Sequence, residues 1–444
     1  MACSIIRHPL WKTPMVRNYA VAAAASAAQQ CPSSNTSLKI LDNKITIASI
    51  ENNNPVTQIS VIFKAGSRNE TYDTQGISHM LRICTGLTSN GSSSFGITRN
   101  IQQVGGDLTA VSDREHISYT LKVTRNNLSH ALKFLEDVAT GQLFRPWEIL
   151  DEIPRLKYEV STVPDFVRVI ELLYKAAYRD GLGYSLYCPK RQIGKLGSET
   201  LRHFVSNFHT GFRCAVTASG IPIAELETFA SLLKVSTQHC ENTQSHYHGG
   251  EMRKERNSQL ASVAVAVEGA SLKNFKEAIA FAVLQKVAGD GPKVKWGNCN
   301  APLHKAVASA GQEPFAVSAF NASHTDSGLF GFILSAPGQY AGSLTQAGVK
   351  WLKSPQFSDC DVARGKADLK TLVLSAGDSQ CLTHENIGLQ ALFSGSIISA
   401  DTIAAEIDKI SVADIKSVAS KVAKGKLSMS AIGDLSTVPY VDQL

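Results

Sequence analysis

The chain has 444 residues, 43% hydrophobic and 18% charged, with 44 Lys and Arg against 38 Asp and Glu for a net charge of +6. That balance excludes a wholly disordered chain, and the dense basic stripe of a dedicated nucleic-acid binder is missing. No apolar run approaches the roughly 20 residues that span a bilayer, so the chain is expected beside a membrane at most, not across one. Its nine cysteines are widely spaced, with no CxxC pair. They read as free thiols in a reducing compartment, not as a disulfide framework or a zinc knuckle.

In chain order, the first segment is an address. No acid precedes Asp42, while Arg7, Lys12, Arg17 and an Ala/Ser-rich run from Ala20 to Ala28 do. This is the composition of a mitochondrial transit peptide, and alanine is too weakly apolar to serve a secretory signal. Arg17-Asn18-Tyr19-Ala20 resembles the matrix cleavage pattern, which gives residues 1–19 as the removed piece.

Next, Ile59 to Phe63 alternates as a strand and ends at Ala65-Gly66-Ser67, before a helical stretch. Ile117, Tyr119, Leu121 and Val123 share one face, the period of a half-buried strand. Asn127 can cap a helix whose Leu128, Ala131, Leu132, Leu135 and Val138 form an apolar stripe. Leu201 and Phe204 lie on a helix that leads through Gly211 to a strand from Cys214 to Ala218. Residues 238–257 are polar, with Gly249-Gly250 inside, and read as a linker. Beyond it, Ala261 to Glu268 is β-rich and Phe275 to Val287 helical. Phe315 to Phe320 and Leu329 to Leu334 form a strand pair, helices follow at 340–353 and 360–375, and Leu427 to Ile432 is the last strand.

Both ends of this unit recur. Strand, small-residue turn and helix repeat from Gly66 to Gly269, 203 positions on, and helix, glycine and strand repeat from Gly211 to Gly425, 214 positions on. An internal duplication accounts for both offsets. The expected architecture is α+β: two homologous halves of about 200 residues, 38–237 and 258–444, each a mixed sheet packed with helices in a clam-like bilobed scaffold.

The segment with chemistry in it is Gly66-Ser67-Arg68-Asn69-Glu70, followed by His79-Met80-Leu81-Arg82-Ile83. It resembles the pitrilysin/insulinase family of metallopeptidases, which includes the mitochondrial processing peptidases. Active members carry H-x-x-E-H after a G-S-x-x-E strand end: two imidazoles on one helix face hold zinc, the carboxylate between them activates water, and a downstream Glu completes the ligand set. Here the resemblance places His79 at the first ligand, Arg82 at the general base, Ile83 at the second ligand and Glu159 at the downstream ligand. Isoleucine has no donor atom, and a guanidinium repels a cation and accepts no proton. No metal, cofactor or catalytic residue is therefore assigned, and the four positions read as a degenerate site. Arg82 is expected to stand in for the metal as a resident cation, paired with Glu159 or Glu152. His79 is expected to be a helix histidine packed at a domain surface.

Other possible sites are weaker. His246-Tyr247-His248 offers two imidazoles in the linker without a third ligand. His203 and His209 do not share a helix face and read as surface histidines. Thr88 to Ser94 reads as a turn. Gly289-Asp290-Gly291-Pro292-Lys293 lacks the G-K-[ST] ending of a phosphate loop and reads as a helix C-cap and turn. It stands where the α-type processing-peptidase subunit carries a longer glycine-rich loop.

Longer stretches, Ala177 to Pro189, Pro314 to Phe332 and Ser428 to Leu444, are similar to the non-catalytic core proteins of mitochondrial complex III, ubiquinol–cytochrome c reductase. That resemblance implies a structural, non-redox subunit on the matrix side of the inner membrane. It would be held there by partner subunits, would pair with a homologous core protein 1 across a cavity, and would have room for a cleaved presequence peptide. The alternative is a subunit without zinc of a processing peptidase, acting with an active partner.

Overall fold

The computed structural model describes residues 35–52, 54–238, 244–291, 300–311 and 313–444. The transit-peptide segment 1–19 lies outside them. The first half runs β1 (Asn35–Ile40), β2 (Thr46–Glu51), β3 (Val56–Phe63), α1 (Ile77–Ile83), α2 (Ser94–Gln103), β4 (Asp107–Ser112), β5 (Ile117–Thr124), α3 (Leu128–Thr140), α4 (Pro146–Thr162), α5 (Asp165–Tyr178), α6 (Ser198–Phe208), β6 (Cys214–Ser219) and α7 (Ile223–Leu232). The second runs β7 (Gly250–Glu255), β8 (Leu260–Glu268), α8 (Phe275–Ala288), α9 (Pro302–Ala308), β9 (Ala316–Ser323), β10 (Gly328–Pro337), α10 (Gly338–Lys353), α11 (Asp359–Asp378), α12 (Gln380–Phe393), α13 (Ala400–Lys409), α14 (Val412–Lys424) and β11 (Ser428–Gly433).

The strands form two mixed sheets, ordered β1-β2-β6-β3-β5-β4 and β7-β11-β8-β10-β9. Apart from β1, the two orders are one pattern. The parallel pair β2–β6 matches β7–β11, and the antiparallel hairpin β4–β5 matches β9–β10. Two sequence readings need correction. The polar run 238–257 contains β7, a charged strand at the edge of the second sheet. Asn127 does not cap α3 with its side chain; its amide instead donates to the Val104 carbonyl.

The central strands of each sheet bury both faces, and alternation assigns them. On β8, Val263, Val265 and Val267 enter the core beneath the half's own helices, whereas Ala264 and Ala266 face α5 of the first half. The small alanines let α5 approach, and its Val169, Leu173 and Ala177 close the layer together with Ile432. Full burial of Val169, Leu173 and Ile432 contributes about 1.5–3 kcal/mol each. The exchange is mutual. Helix α12 of the second half covers β2 of the first, with Ile387 and Ala391 against Ala48 and Ile50. Gly388 brings α12 so close that a Cβ there would sit 2.5 Å from Ile62 Cδ1. His384, one turn earlier, places Nε2 2.7 Å from Ser60 Oγ on β3. The lobes are thus interlocked by swapped helices, not merely tethered by the polar run.

The hairpin turns meet at the junction. Arg68 Nη1 donates to Glu115 Oε1 at 2.6 Å, beside the β4–β5 turn, and to Asp326 Oδ1 at 2.9 Å, in the β9–β10 turn. Thr325 donates its backbone N–H to Glu115 Oε2 at 3.1 Å, and Ser245 donates its own to Asp326 Oδ2 at 2.9 Å. Arg68, Glu115 and Asp326 side chains are at most 10% exposed. Burial alone would raise the Glu115 carboxyl, but the bonds and charges of His324, Thr325 and Arg68 hold it at about 2.

Candidate functional site

The loop after β3 is built around a glycine: a Cβ on Gly66 would lie 2.4 Å from the carbonyl oxygens of Asp113 and Arg114. Four residues on, Glu70 is buried and accepts the N–H groups of Gly76 at 2.8 Å and Ser78 at 3.0 Å. It thereby holds the start of α1, where Gly76 takes φ +90°. Burial pushes the Glu70 carboxyl up to about 7 against the pull of those hydrogen bonds.

Helix α1 then presents His79. Its ring is 1% exposed, so it is a core residue and not the surface histidine expected from sequence. Nδ1 accepts the backbone N–H of Cys188 at 3.2 Å, and Nε2 lies 3.1 Å from Glu159 Oε2. That pairing puts the ring proton on Nε2, directed at the carboxylate. The Tyr187 ring meets the imidazole edge-on at 5.6 Å. Burial lowers the His79 pKa, with the Glu159 bond opposing.

Arg82, one turn along, forms an ion pair with the same Glu159 oxygen. Glu159 reaches it from α4, where Arg155 adds a second contact at 3.3 Å. Burial would raise the Glu159 carboxyl, but its bonds to His79 and Arg82 hold it below the ordinary range. Glu152, the other acid considered for Arg82, instead has Arg155 at 3.7 Å. Ile83 turns into the core of the first half. Of the four positions, His79, Arg82 and Glu159 meet, and Ile83 does not join them.

This donor set does not fit zinc. The one imidazole presents a protonated nitrogen, the carboxylate is engaged by two guanidinium groups, and the fourth position has no donor atom. Proton transfer to substrate fares no better, because a guanidinium at the base position stays protonated. What the arrangement does well is tie α1, α4 and the 187–188 segment together.

The remaining sequence sites resolve individually. His209 is buried with its ring stacked on Phe63 at 4.2 Å, correcting its reading as a surface residue, while His203 is exposed. His246 and His248 are exposed, and Tyr247 between them bonds Ser428 Oγ at 2.6 Å. Among the described residues no group of three or more His, Cys, Asp or Glu could hold a metal ion. Ser93 caps α2 through the Gly96 N–H. Gly289 ends α8 with φ +109°, and Lys286 pairs with Asp290 at 2.6 Å; Pro292 and Lys293 lie outside the described residues. Sequence reasoning missed the Cys188 N–H and Arg155. Arg155 was readable, since it stands four residues before Glu159 on one helix. The Cys188 contact is made by backbone and leaves no sequence signal.

Residues 46–190 match the description Insulinase (Peptidase family M16), and residues 195–369 match Peptidase M16 inactive domain. The chain is 40% identical over 413 residues to cytochrome b-c1 complex subunit 2, mitochondrial, of Homo sapiens, covering 91% of each chain. The Rattus norvegicus protein of the same description is 38% identical, again over 91% of each. Probable mitochondrial-processing peptidase subunit alpha-1 of Arabidopsis thaliana is 28% identical, over 91% of this chain and 83% of that one.

Proposed function

The chain belongs to the insulinase (M16) peptidase family, and from that premise we propose that it is a structural, non-catalytic subunit of the mitochondrial cytochrome b-c1 complex, ubiquinol–cytochrome c reductase. The observation that carries the reading is Arg82 seated on Glu159 where the family's chemistry would need a base and a ligand. The 40% identity to a b-c1 subunit over nearly the whole chain supports the assembly. The residues His79, Arg82, Ile83 and Glu159 are then a former metal site retained as a packing joint.

The role is architectural. Two interlocked lobes give a stiff body, and no helix of the described residues is long and apolar enough to cross a membrane. Such a subunit is held at the inner membrane by its partners, on the matrix side. It pairs with a homologous core protein 1 across a cavity that can retain a cleaved presequence peptide. The N-terminal 19 residues are its transit peptide, 38–237 and 258–444 its two halves, and it brings no cofactor of its own.

The resemblance to processing-peptidase alpha subunits favours a second reading, a subunit without zinc acting with an active partner. One experiment separates them: a native gel of mitochondria solubilised in mild detergent, stained for haem and probed for this chain. Co-migration with the haem-bearing complex is expected. Migration in a small haem-free species with a zinc-bearing partner would replace the first reading by the second.

A further inference from the structure

The two sheets share one strand order, yet the first has six strands and the second five. The extra strand is β1, antiparallel on the outer edge of β2, with Ile47, Ser49 and Glu51 opposite Lys39, Ser37 and Asn35. In the repeat, β7 takes the place of β2, and nothing among the described residues takes the place of β1.

The open edge has a definite pattern. Arg256 donates its N–H to Gly433 O at 3.1 Å, in continuation of the parallel β7–β11 ladder. In a parallel pair, alternate residues direct both backbone groups to the same side. Residues 252, 254 and 256 therefore face β11, and Glu251, Arg253 and Glu255 turn their N–H and C=O groups outward. No described residue bonds those outward groups. An unpaired edge of this kind is a template for another strand.

The described residues that lead into β7, 244–249, do not supply that strand. In the first half, Leu41 and Lys44 close a tight turn that folds β1 back on β2. In the second half, Ser245 is held by Asp326, and both His248 and Gly249 donate N–H groups to Ala177 O at the end of α5. These bonds carry the chain across the junction of the lobes instead of alongside β7.

Charge narrows the partner. The charges that act on Lys254 at this edge are Arg256, Arg168 and Lys190, with Asp165 as the acid among them. Asp165 is already engaged, 2.5 Å from Arg256 and 4.0 Å from Arg168. Burial and the neighbouring Arg256, Arg168 and Lys190 press the Lys254 pKa down. A strand whose alternate side chains are carboxylates relieves this repulsion.

We propose that the outer edge of β7 receives an extended, acidic segment of another protein chain, added antiparallel in the position that β1 holds on the first sheet. Main-chain bonds to Glu251, Arg253 and Glu255 supply the attachment, and Lys254, Arg256 and Lys190 select the acidic partner.

The test uses the full chain in whatever assembly it forms in mitochondria, with a photo-crosslinking residue at position 255. The expected product is one peptide, rich in Asp or Glu, from a different chain. Lys254→Glu should cut its yield about tenfold. Glu255→Pro removes an outward N–H without touching the β11 ladder, so with a crosslinker at position 257 it should abolish the product while the chain stays folded. Cross-links confined to lipid or to this chain, residues 239–243 included, overturn the proposal, as does no product at all. A partner peptide insensitive to Lys254→Glu overturns the acidic specificity. The migration of the assembly, read separately, bears on the structural role and not on this edge.

Discussion

Arg68 and Asp326, 258 residues apart, form a charge-assisted hydrogen bond that closes the junction between the two halves. Arg68 follows β3 of the first sheet, and Asp326 sits in the β9–β10 turn of the second. Glu115, beside the equivalent turn of the first half, binds the same guanidinium. The two hairpins that correspond by duplication therefore share one cation.

Removing that cation leaves two buried carboxylates facing each other. Arg68→Ala should destabilise the fold by about 3–5 kcal/mol, the cost of breaking a buried pair from one side. Urea unfolding followed by fluorescence checks this. If the junction is the coupling element, the loss should also split one transition into two, with the halves melting separately. A single transition shifted by less than about 1 kcal/mol would show that the swapped helices alone join the lobes.

Helix α12 tests the other half of the interlock. Gly388→Val puts three carbons where one Cβ already meets Ile62 Cδ1 at 2.5 Å and Thr217 Oγ1 at 3.2 Å. Overpacking of this kind costs about 1–3 kcal/mol. Proteolysis should then cut within 380–393 well before the β-sheets yield. Unchanged resistance there would mean that α12 can shift outward without loss.

Two histidines set an acid limit on stability. His209 is pushed down to about 3, by burial and then by the Arg213 charge. His384 is likewise lowered to about 3, by burial and then by Lys122. Each is neutral in the fold and gains a proton near pH 6.5 when unfolded, so the unfolded chain binds more protons between these values. The contribution of each is thus fully present above pH 6.5 and falls on acidification by about 1.4 kcal/mol per pH unit, down to about pH 3. Glu70 acts with the opposite sign below about pH 7, because its raised carboxyl takes up a proton in the fold first, so the histidine effect is read as a difference: between pH 6 and 5, His384→Asn should lessen the fall in stability by about 1.4 kcal/mol per pH unit relative to the parent chain.

Much of this architecture is written in local patterns. The alternation at 117–123 and at 59–63 yields β5 and β3 because one face of each is core, while the other carries Ser118, Thr120 and Lys122 on β5 and Ser60 and Ile62, beneath α12, on β3. The duplication is legible because the turn after Gly66 and the one after Gly269 both need small residues. The helix swap is not legible: the stripe of Val169, Leu173 and Ala177 says that α5 is buried, not against which sheet. Strand β7 escaped because an edge strand pairs through its backbone, and Glu251 to Arg256 look like a linker by composition. At the site, His79, Arg82 and Glu159 were singled out by the resemblance to the family motif, and the structure brings these three side chains together. The burial of His79 and His209 was illegible, because an imidazole suits both solvent and a packed interior, and the residue type alone does not say which.

Restoring the lost motif should not by itself restore metal binding. Arg82→Glu with Ile83→His rebuilds H-x-x-E-H around His79, with Glu159 still opposite. Ligand identity alone should not suffice. Zinc would need the Nε2 lone pair that faces Glu159, which moves the ring proton to Nδ1. There it would confront the Cys188 N–H that now donates to Nδ1 at 3.2 Å. Two donors face to face leave both unsatisfied in a buried place, a penalty of about 1–3 kcal/mol on top of ordinary metal binding. The new imidazole must also be accommodated where Ile83 packs in the core. The double variant is therefore expected to lose its zinc on gel filtration, measured by metal content per chain. One retained equivalent, abolished by His79→Ala, would show that the ring turns freely and that the site was lost through Arg82 and Ile83 alone.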